Sequence, residues 1–430
     1  MVLEIRDPEL LPEMITRTRS PNSGKHSPVM ERQVNGIINR VSAFGNKALI
    51  EYTRWFDKVE LTSSKLQISE EEIAEAYSKV DEDEIMALQE VSFRLREMSE
   101  KALSQLTFSA DIDGTSVTST ARPLDEVGCY IPGGTASYPS SLLMCAVPAR
   151  VAGVRRIVVC TPPKPQGVSP VTLVAADMCG VEEVYQVGGA QAIAALSFGT
   201  ETIRPVQKIV GPGNAYVTLA KKKVSGRTQI DMPAGPSELL VLADDSAPAR
   251  TIALDLISQA EHSPNAIALL ISPSRNLCSQ VVRELDILLP DSERSETVAE
   301  SLRKNGGVYC CYSLNDCISF ANDFAPEHIQ IMTKNAQEVA KSITSAGLIL
   351  LGNFTPVAAS DYGLGVNHVL PTQGYASLYS GLSVLDFIRI VYLVESNENA
   401  LRSVANTIIT LAEAEGLPGH AQAIRGRLDQ

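Results

Sequence analysis

Histidine is scarce in this chain, with five in 430 residues. Basic charge is short as well: 37 Lys and Arg stand against 50 Asp and Glu, for a net charge of −13. That deficit argues against a nucleic-acid partner and against an anionic membrane surface, since both require a basic face. No apolar run approaches the roughly 18 residues of a membrane span. The opening residues, Met-Val-Leu-Glu-Ile-Arg-Asp, lack the basic segment and apolar run of a signal peptide, so the expected location is cytoplasmic. The eight cysteines form no Cys-x-x-Cys pair, and several, such as Cys160 in Arg-Ile-Val-Val-Cys, lie in apolar runs. They read as reduced, mostly buried thiols, not as ligands or nucleophiles. Gly-x-Gly-x-x-Gly is also missing, so any nicotinamide cofactor must be held without that fingerprint.

What is present is a core-forming sequence. Apolar residues make up 44% of it, enough for a globular enzyme, and the length suits two or three domains. Residues 1–27 read as an N-terminal arm. Helices are predicted over about 29–54 and about 69–106, the second opened by the capping sequence Ser69-Glu-Glu-Glu. A Thr/Ser-rich strand pair follows over about 107–122. From Val127, short apolar strands at about 127–131, 156–160, 183–187 and 207–210 alternate with helices. A second alternation has strands at about 238–242, 266–271, 307–311 and 347–351. Such alternation implies parallel sheets with helical crossovers. The remainder, from about 383, is expected to be mainly one long helix and a short one, parted by Gly416 and Gly419. The fold class is therefore α/β, with two doubly wound, incomplete Rossmann-like domains plus a small N-terminal arm and a C-terminal helical tail. Residues 28–129 and 237–382 are expected to form one α/β domain carrying most of the metal and acid/base site. Residues 130–236 form the second, and 383–430 the tail.

Three turns in the second domain are rich in glycine: Tyr130-Ile-Pro-Gly-Gly134, Val187-Gly-Gly-Ala-Gln191 and Gly211-Pro-Gly-Asn214. Each leads towards a helix start, where backbone N–H groups can approach a phosphate. They serve equally well as plain turns. Four of the five histidines sit near carboxylates or amides: Gln259 with His262, Glu327 with His328, Asp361 before Asn367-His368, and Glu415 before His420. Imidazole beside carboxylate suits both metal binding and proton transfer. Gln259 and His262 share one face at a helix end, which can equally be a capped terminus. Glu327-His328 leaves Ala325-Pro326 as a loop pair. A zinc hydrolase with a Glu-activated water would use the same donors. His26, in a Pro/Ser/Gly stretch, reads as incidental.

Longer motifs carry a resemblance. Asp231-Met-Pro-Ala-Gly-Pro-Ser-Glu238, Ser258-Gln-Ala-Glu-His262, Phe324-Ala-Pro-Glu-His328, Asn367-His-Val-Leu-Pro-Thr372 and Ala414-Glu-Gly-Leu-Pro-Gly-His420 all look like histidinol dehydrogenase, in that family's order and across essentially the whole chain. The resemblance implies an enzyme using zinc, one ion per subunit, and NAD to oxidise L-histidinol to L-histidinaldehyde and then to L-histidine. It implies a homodimer with shared active sites. The implied metal ligands are Gln259, His262, Asp361 and His420, and the implied catalytic acid/base pair is Glu327 and His328. Substrate contacts map onto Ser237, His368 and Glu415 beside the ligands and His328. Cofactor contacts map onto Tyr130, Gln191 and Asn214, on the domain 130–236. Glu415 and His420 would come from the partner subunit. Two local departures are Ser360, where many members have Gly, and a shorter loop at 224–230.

Overall fold

The computed structural model describes residues 3–19, 28–133 and 137–429. His26 and Gly134 lie outside these residues. The N-terminal segment contributes a short strand, β1 (Ile5–Arg6), and helices then run to Ser104. A hairpin follows, β2 (Phe108–Ile112) and β3 (Thr115–Pro123). Five strands alternate with helices: β4 (Glu126–Tyr130), β5 (Arg156–Cys160), β6 (Glu183–Tyr185), β7 (Lys208–Val210) and β8 (Gln229–Ile230). Five more do so in the second half: β9 (Glu238–Ala243), β10 (Ile267–Ser272), β11 (Gly307–Cys310), β12 (His328–Met332) and β13 (Leu348–Leu351). β14 (Ile388–Ser396) precedes the last two helices, Glu398–Ala414 and Pro418–Leu428.

These strands form two parallel sheets and one small antiparallel sheet. The orders are β1-β11-β10-β9-β12-β13, β6-β5-β4-β7-β8 and β14-β3-β2. β9 and β10 are buried along their whole length, as inner strands of a parallel sheet are when helices cover both faces. One face of the six-stranded sheet packs Leu239, Val241 and Met332 with Ile252, Leu256 and Ile257. The other packs Leu240, Ile329 and Ile331 with Phe320 and Phe324. The expected α/β class with two wound sheets is what the chain forms.

Four placements differ from the sequence reading. Residues 28–104 do not join the 237–382 half. Val34, Ile37, Val41 and Leu49 pack against Ile193, Leu196, Val217 and Ala220, and Leu88 and Leu95 join Leu142, Leu143 and Met144. An amphipathic stripe announces a buried face but not which sheet receives it. The arm is not separate either, because β1 pairs in parallel with β11. The segment 69–106 is two helices, Glu70–Ala76 and Glu82–Ser104, each opened by its own capping box, on Ser69 and on Asp81. The tail is not purely helical, since β14 pairs antiparallel with β3 over nine residues.

Two segments tie the halves together. Met232, Val369, Leu382, Val384 and Phe387 enter the core of the five-stranded half. Thr218 Oγ1 donates to the Ala234 carbonyl at 2.7 Å, and Lys208 Nζ pairs with Asp386 at 2.8 Å. On the helix Ala249–Ala260 one carboxylate is buried, that of Asp255. Burial raises it from 3.8 to about 6. The folded state thus holds a proton that an unfolded carboxylate, with a pKa of about 3.9, releases earlier. The stability this contributes is complete at acid pH and is lost as pH rises through about 6. Asp255→Asn is therefore expected to raise stability by about 3 kcal/mol at pH 8 and far less at pH 4. Denaturant unfolding at both pH values, at one protein concentration, checks this; equal effects would contradict it.

Candidate active site

The acid/base pair sits where two neighbouring strands begin. β9 starts at Glu238 and β12 at His328, and His328 lies in register with Leu239 on one side and Leu348 on the other. His328 is thus not on a loop. It opens a fully buried strand, and Gln330 follows on the same face.

Backbone and carboxylate are exchanged across the two strands. The Glu238 N–H donates to Glu327 Oε2 at 2.7 Å, and the Glu327 N–H donates to Glu238 Oε2 at 3.3 Å. Glu238 Oε1 accepts from the Gln373 N–H at 2.9 Å. Gln373 holds a left-handed backbone, φ 56°, which a non-glycine residue adopts only when its surroundings impose it. His328 Nδ1 lies 3.3 Å from the Glu238 carbonyl oxygen and 3.6 Å from Glu327 Oε2. A carbonyl can only accept, so Nδ1 carries the hydrogen, and in the neutral imidazole Nε2 keeps its lone pair. That Nε2 is buried and meets no hydrogen-bond partner within the protein. Burial pushes His328 down, but the charge and hydrogen bond of Glu327 outweigh it and hold the imidazole above its ordinary value. Burial pushes the Glu327 carboxyl up, against the pull of His328.

Asp361 and His368 form a second pair beside the first. His368 Nδ1 donates to the Asp361 carbonyl at 3.0 Å, and its Nε2 accepts from Ser141 Oγ at 3.1 Å. Ser141 belongs to the helix Pro139–Ala152 of the other half, so His368 bridges the halves with both ring nitrogens engaged. Burial lowers the His368 pKa; Asp361 opposes this, while His328 and His262 add to it. The three histidines and Asp361 therefore share one locality. Gln259 lies at the end of the helix Ala249–Ala260, fully buried, and its side-chain Nε2 has no partner. Ser360, preceding Asp361, is buried and donates to the Val357 carbonyl at 2.7 Å, so it is accommodated locally. Ser237 immediately precedes β9, and its carbonyl accepts from Ile267 at 2.9 Å.

Among the described residues, no three His, Cys, Asp or Glu side chains are grouped to hold a metal ion. His262 and Asp361 are thus not joined by His420 of the same chain. His420 and Glu415 are exposed, on the two C-terminal helices that pack on each other.

The glycine turns lie at the carboxyl ends of β4, β6 and β7. The Tyr130 hydroxyl accepts from the Gly189 N–H at 3.1 Å. Gln191 is buried, with its Oε1 unpartnered, and a Cβ on Gly189 would stand 2.7 Å from that atom. Gly188 and Asn214 each cap a following helix, and Asn214 Oδ1 accepts from Tyr216 and Val217 at 3.0 and 3.2 Å. Glu238 was missed by sequence reasoning. Its signal was available: a carboxylate opening the otherwise apolar run Leu-Leu-Val-Leu needs buried partners.

The sequence profile of histidinol dehydrogenase matches residues 20–428. The chain is 45% identical over 424 residues to the histidinol dehydrogenase of Clostridium acetobutylicum, covering 98% of each. It is 44% identical to that of Methanothermobacter thermautotrophicus, covering 97% of this chain and 96% of the other. The crystal structure of histidinol dehydrogenase from Elizabethkingia anophelis superposes with a TM-score of 0.92 at 35% identity, covering 99% of this chain and 97% of that one. The chain belongs to the histidinol dehydrogenase family of oxidoreductases.

Proposed function

We propose that this chain oxidises L-histidinol through L-histidinaldehyde to L-histidine, in the cytoplasm, with NAD as oxidant and zinc at a site shared between two subunits. The observation that carries the chemistry is the buried His328 Nε2, unpartnered and oriented by Glu238, beside a buried carboxylate. Bound NAD supplies the hydride acceptor at each oxidation, on the 130–236 half. Bound zinc supplies a Lewis acid and an anchor for the imidazole and amine of the substrate.

The donor set fits zinc. The Gln259 amide ends in a buried atom that no protein group meets, and its O and N are interchangeable by rotation. His262 stands three residues on, and Asp361 offers a half-buried carboxylate. Nitrogen and oxygen donors of this kind suit zinc. His420 of a partner subunit would complete the set, with Glu415 alongside on the substrate. The dimer is supported by β14, whose alternate residues Ile390, Tyr392 and Val394 share one face and are exposed at 42%, 60% and 65%. Contiguous bare apolar surface of this kind marks an interface.

His328 takes the hydroxyl proton of the alcohol at Nε2 in the first oxidation. His328 then releases that proton to solvent, Glu327 takes a proton from the water that adds to the aldehyde, and His328, neutral again, takes the hydrate's proton in the second oxidation. Ser237 and Glu415 position the substrate, and His368 holds the Asp361 backbone from behind. No thiol is used.

Glu327→Gln is expected to impair oxidation of supplied histidinaldehyde at least about tenfold more than oxidation of histidinol, because only the aldehyde step needs an activated water. His328→Asn should slow both. NADH formation on each substrate gives the comparison, and equal losses for the Glu327 variant would sink the assigned role.

The shared site is tested by complementation. His262→Ala and His420→Ala homodimers should each be inactive and depleted of tightly bound zinc. In a mixed dimer one site collects both lesions and the other none. Random reassortment makes about half the dimers mixed, so activity should return to about a quarter of wild type. No recovery after confirmed subunit exchange would mean a site built from one chain.

A further inference from the structure

One ion pair lies deep in the five-stranded half. Lys221 and Asp231 are in direct contact, with side chains 5% and 1% exposed. The residue between them is Gly211, the first of Gly211-Pro-Gly-Asn214. Its N–H donates to Asp231 Oδ2 at 2.7 Å, and its carbonyl accepts from Lys221 Nζ at 2.9 Å. Both polar groups of a single peptide residue are therefore gripped by the two members of one buried ion pair.

Gly211 needs such a grip. Its φ is 114°, and a Cβ there would stand 2.1 Å from the Tyr130 carbonyl oxygen, so it lies directly against the end of β4. The two residues come from different elements. Lys221 is on the helix Ala215–Val224, which Asn214 caps, and Asp231 follows β8, the edge strand. Asn214 is thus held from behind by its cap and from in front by Gly211. A buried ion pair adds little to fold stability compared with an apolar pair of similar volume. Its directed hydrogen bonds can instead fix a backbone in one geometry.

We propose that Lys221 and Asp231 are positioning residues for the cofactor: together they fix the Gly211–Asn214 turn against Tyr130 in the geometry that receives NAD. The inference rests on the reading that NAD occupies this turn. The pair touches no reacting atom; it acts through Gly211.

The test uses the full-length dimer. Lys221→Met with Asp231→Leu keeps an apolar pair of similar bulk and removes both bonds to Gly211. Its KM for NAD should rise about tenfold, from the lost preorganisation, by more than kcat falls. Bound zinc and the KM for histidinol should stay within about twofold, since the pair bonds to Gly211 and not to Gln259 or His262. Lys221→Gln with Asp231→Asn keeps a neutral donor and a neutral acceptor for Gly211, and should recover most of the NAD affinity. Asn214→Ala, measured in parallel, should also raise the KM for NAD. If it does while the Met/Leu variant binds NAD normally, the inference is overturned and the cofactor reading stands. If Asn214→Ala leaves NAD binding unchanged, the cofactor reading fails and takes the inference with it. Should the Met/Leu variant not fold, the Gln/Asn variant decides, because unrecovered NAD affinity in that folded protein counts against positioning. Parallel loss of NAD affinity, zinc and histidinol affinity would assign the pair a purely structural role, also overturning the proposal.

Discussion

The site depends on the crossing of Glu238 and Glu327 between two adjacent strands. Each carboxylate accepts the other residue's backbone N–H. Two acidic side chains can be buried side by side only when their oxygens are met by donors, and here peptide groups supply them. The same arrangement sets His328, because the carbonyl that receives its Nδ1–H belongs to Glu238. It also sets Gln373, whose left-handed backbone is tied to the other oxygen of Glu238. One residue at the start of β9 therefore determines which ring nitrogen is free and where the connection between the halves begins.

The two large sheets offer opposite ends to this region. The glycine turns leave the carboxyl ends of β4, β6 and β7, where ligands of open α/β sheets are expected. Ser237, Glu238, Glu327 and His328 lie at the amino ends of β9 and β12 instead. That edge would be unremarkable in an isolated wound domain. It becomes a site because the segments around 231–238 and 369–387 lay the five-stranded half across it, with His368 reaching Ser141 as one of the links.

Much of this was legible in the chain. The alternation of short apolar strands with helices located four strands in each half, and the pairing of scarce histidines with acids singled out His262, His328, Asp361 and His368, which the fold brings into one locality. What was missed has physical causes. Glu327 and His328 were read as a loop pair because they follow Ala325-Pro326, although His328 opens a wholly buried strand. The destination of the helices before β2 was invisible because burial periodicity is blind to the partner surface. Glu238 was noticed as part of a motif but not as a buried acid in need of donors.

The pairing of β14 with β3 has a kinetic consequence. Thr115 and Ser396 face each other across 281 residues of sequence. A contact of such separation must await almost complete synthesis of the chain, and its loop closure comes late in folding. Until then β3 has a partner in β2 along one side only, and its other edge displays unpaired peptide groups to any strand that passes. The growing chain can complete both parallel sheets, up to β13, before that edge is covered. Its Thr/Ser-rich composition, Thr-Ser-Val-Thr-Ser-Thr-Ala-Arg, keeps the waiting edge hydrated and lowers its tendency to mispair.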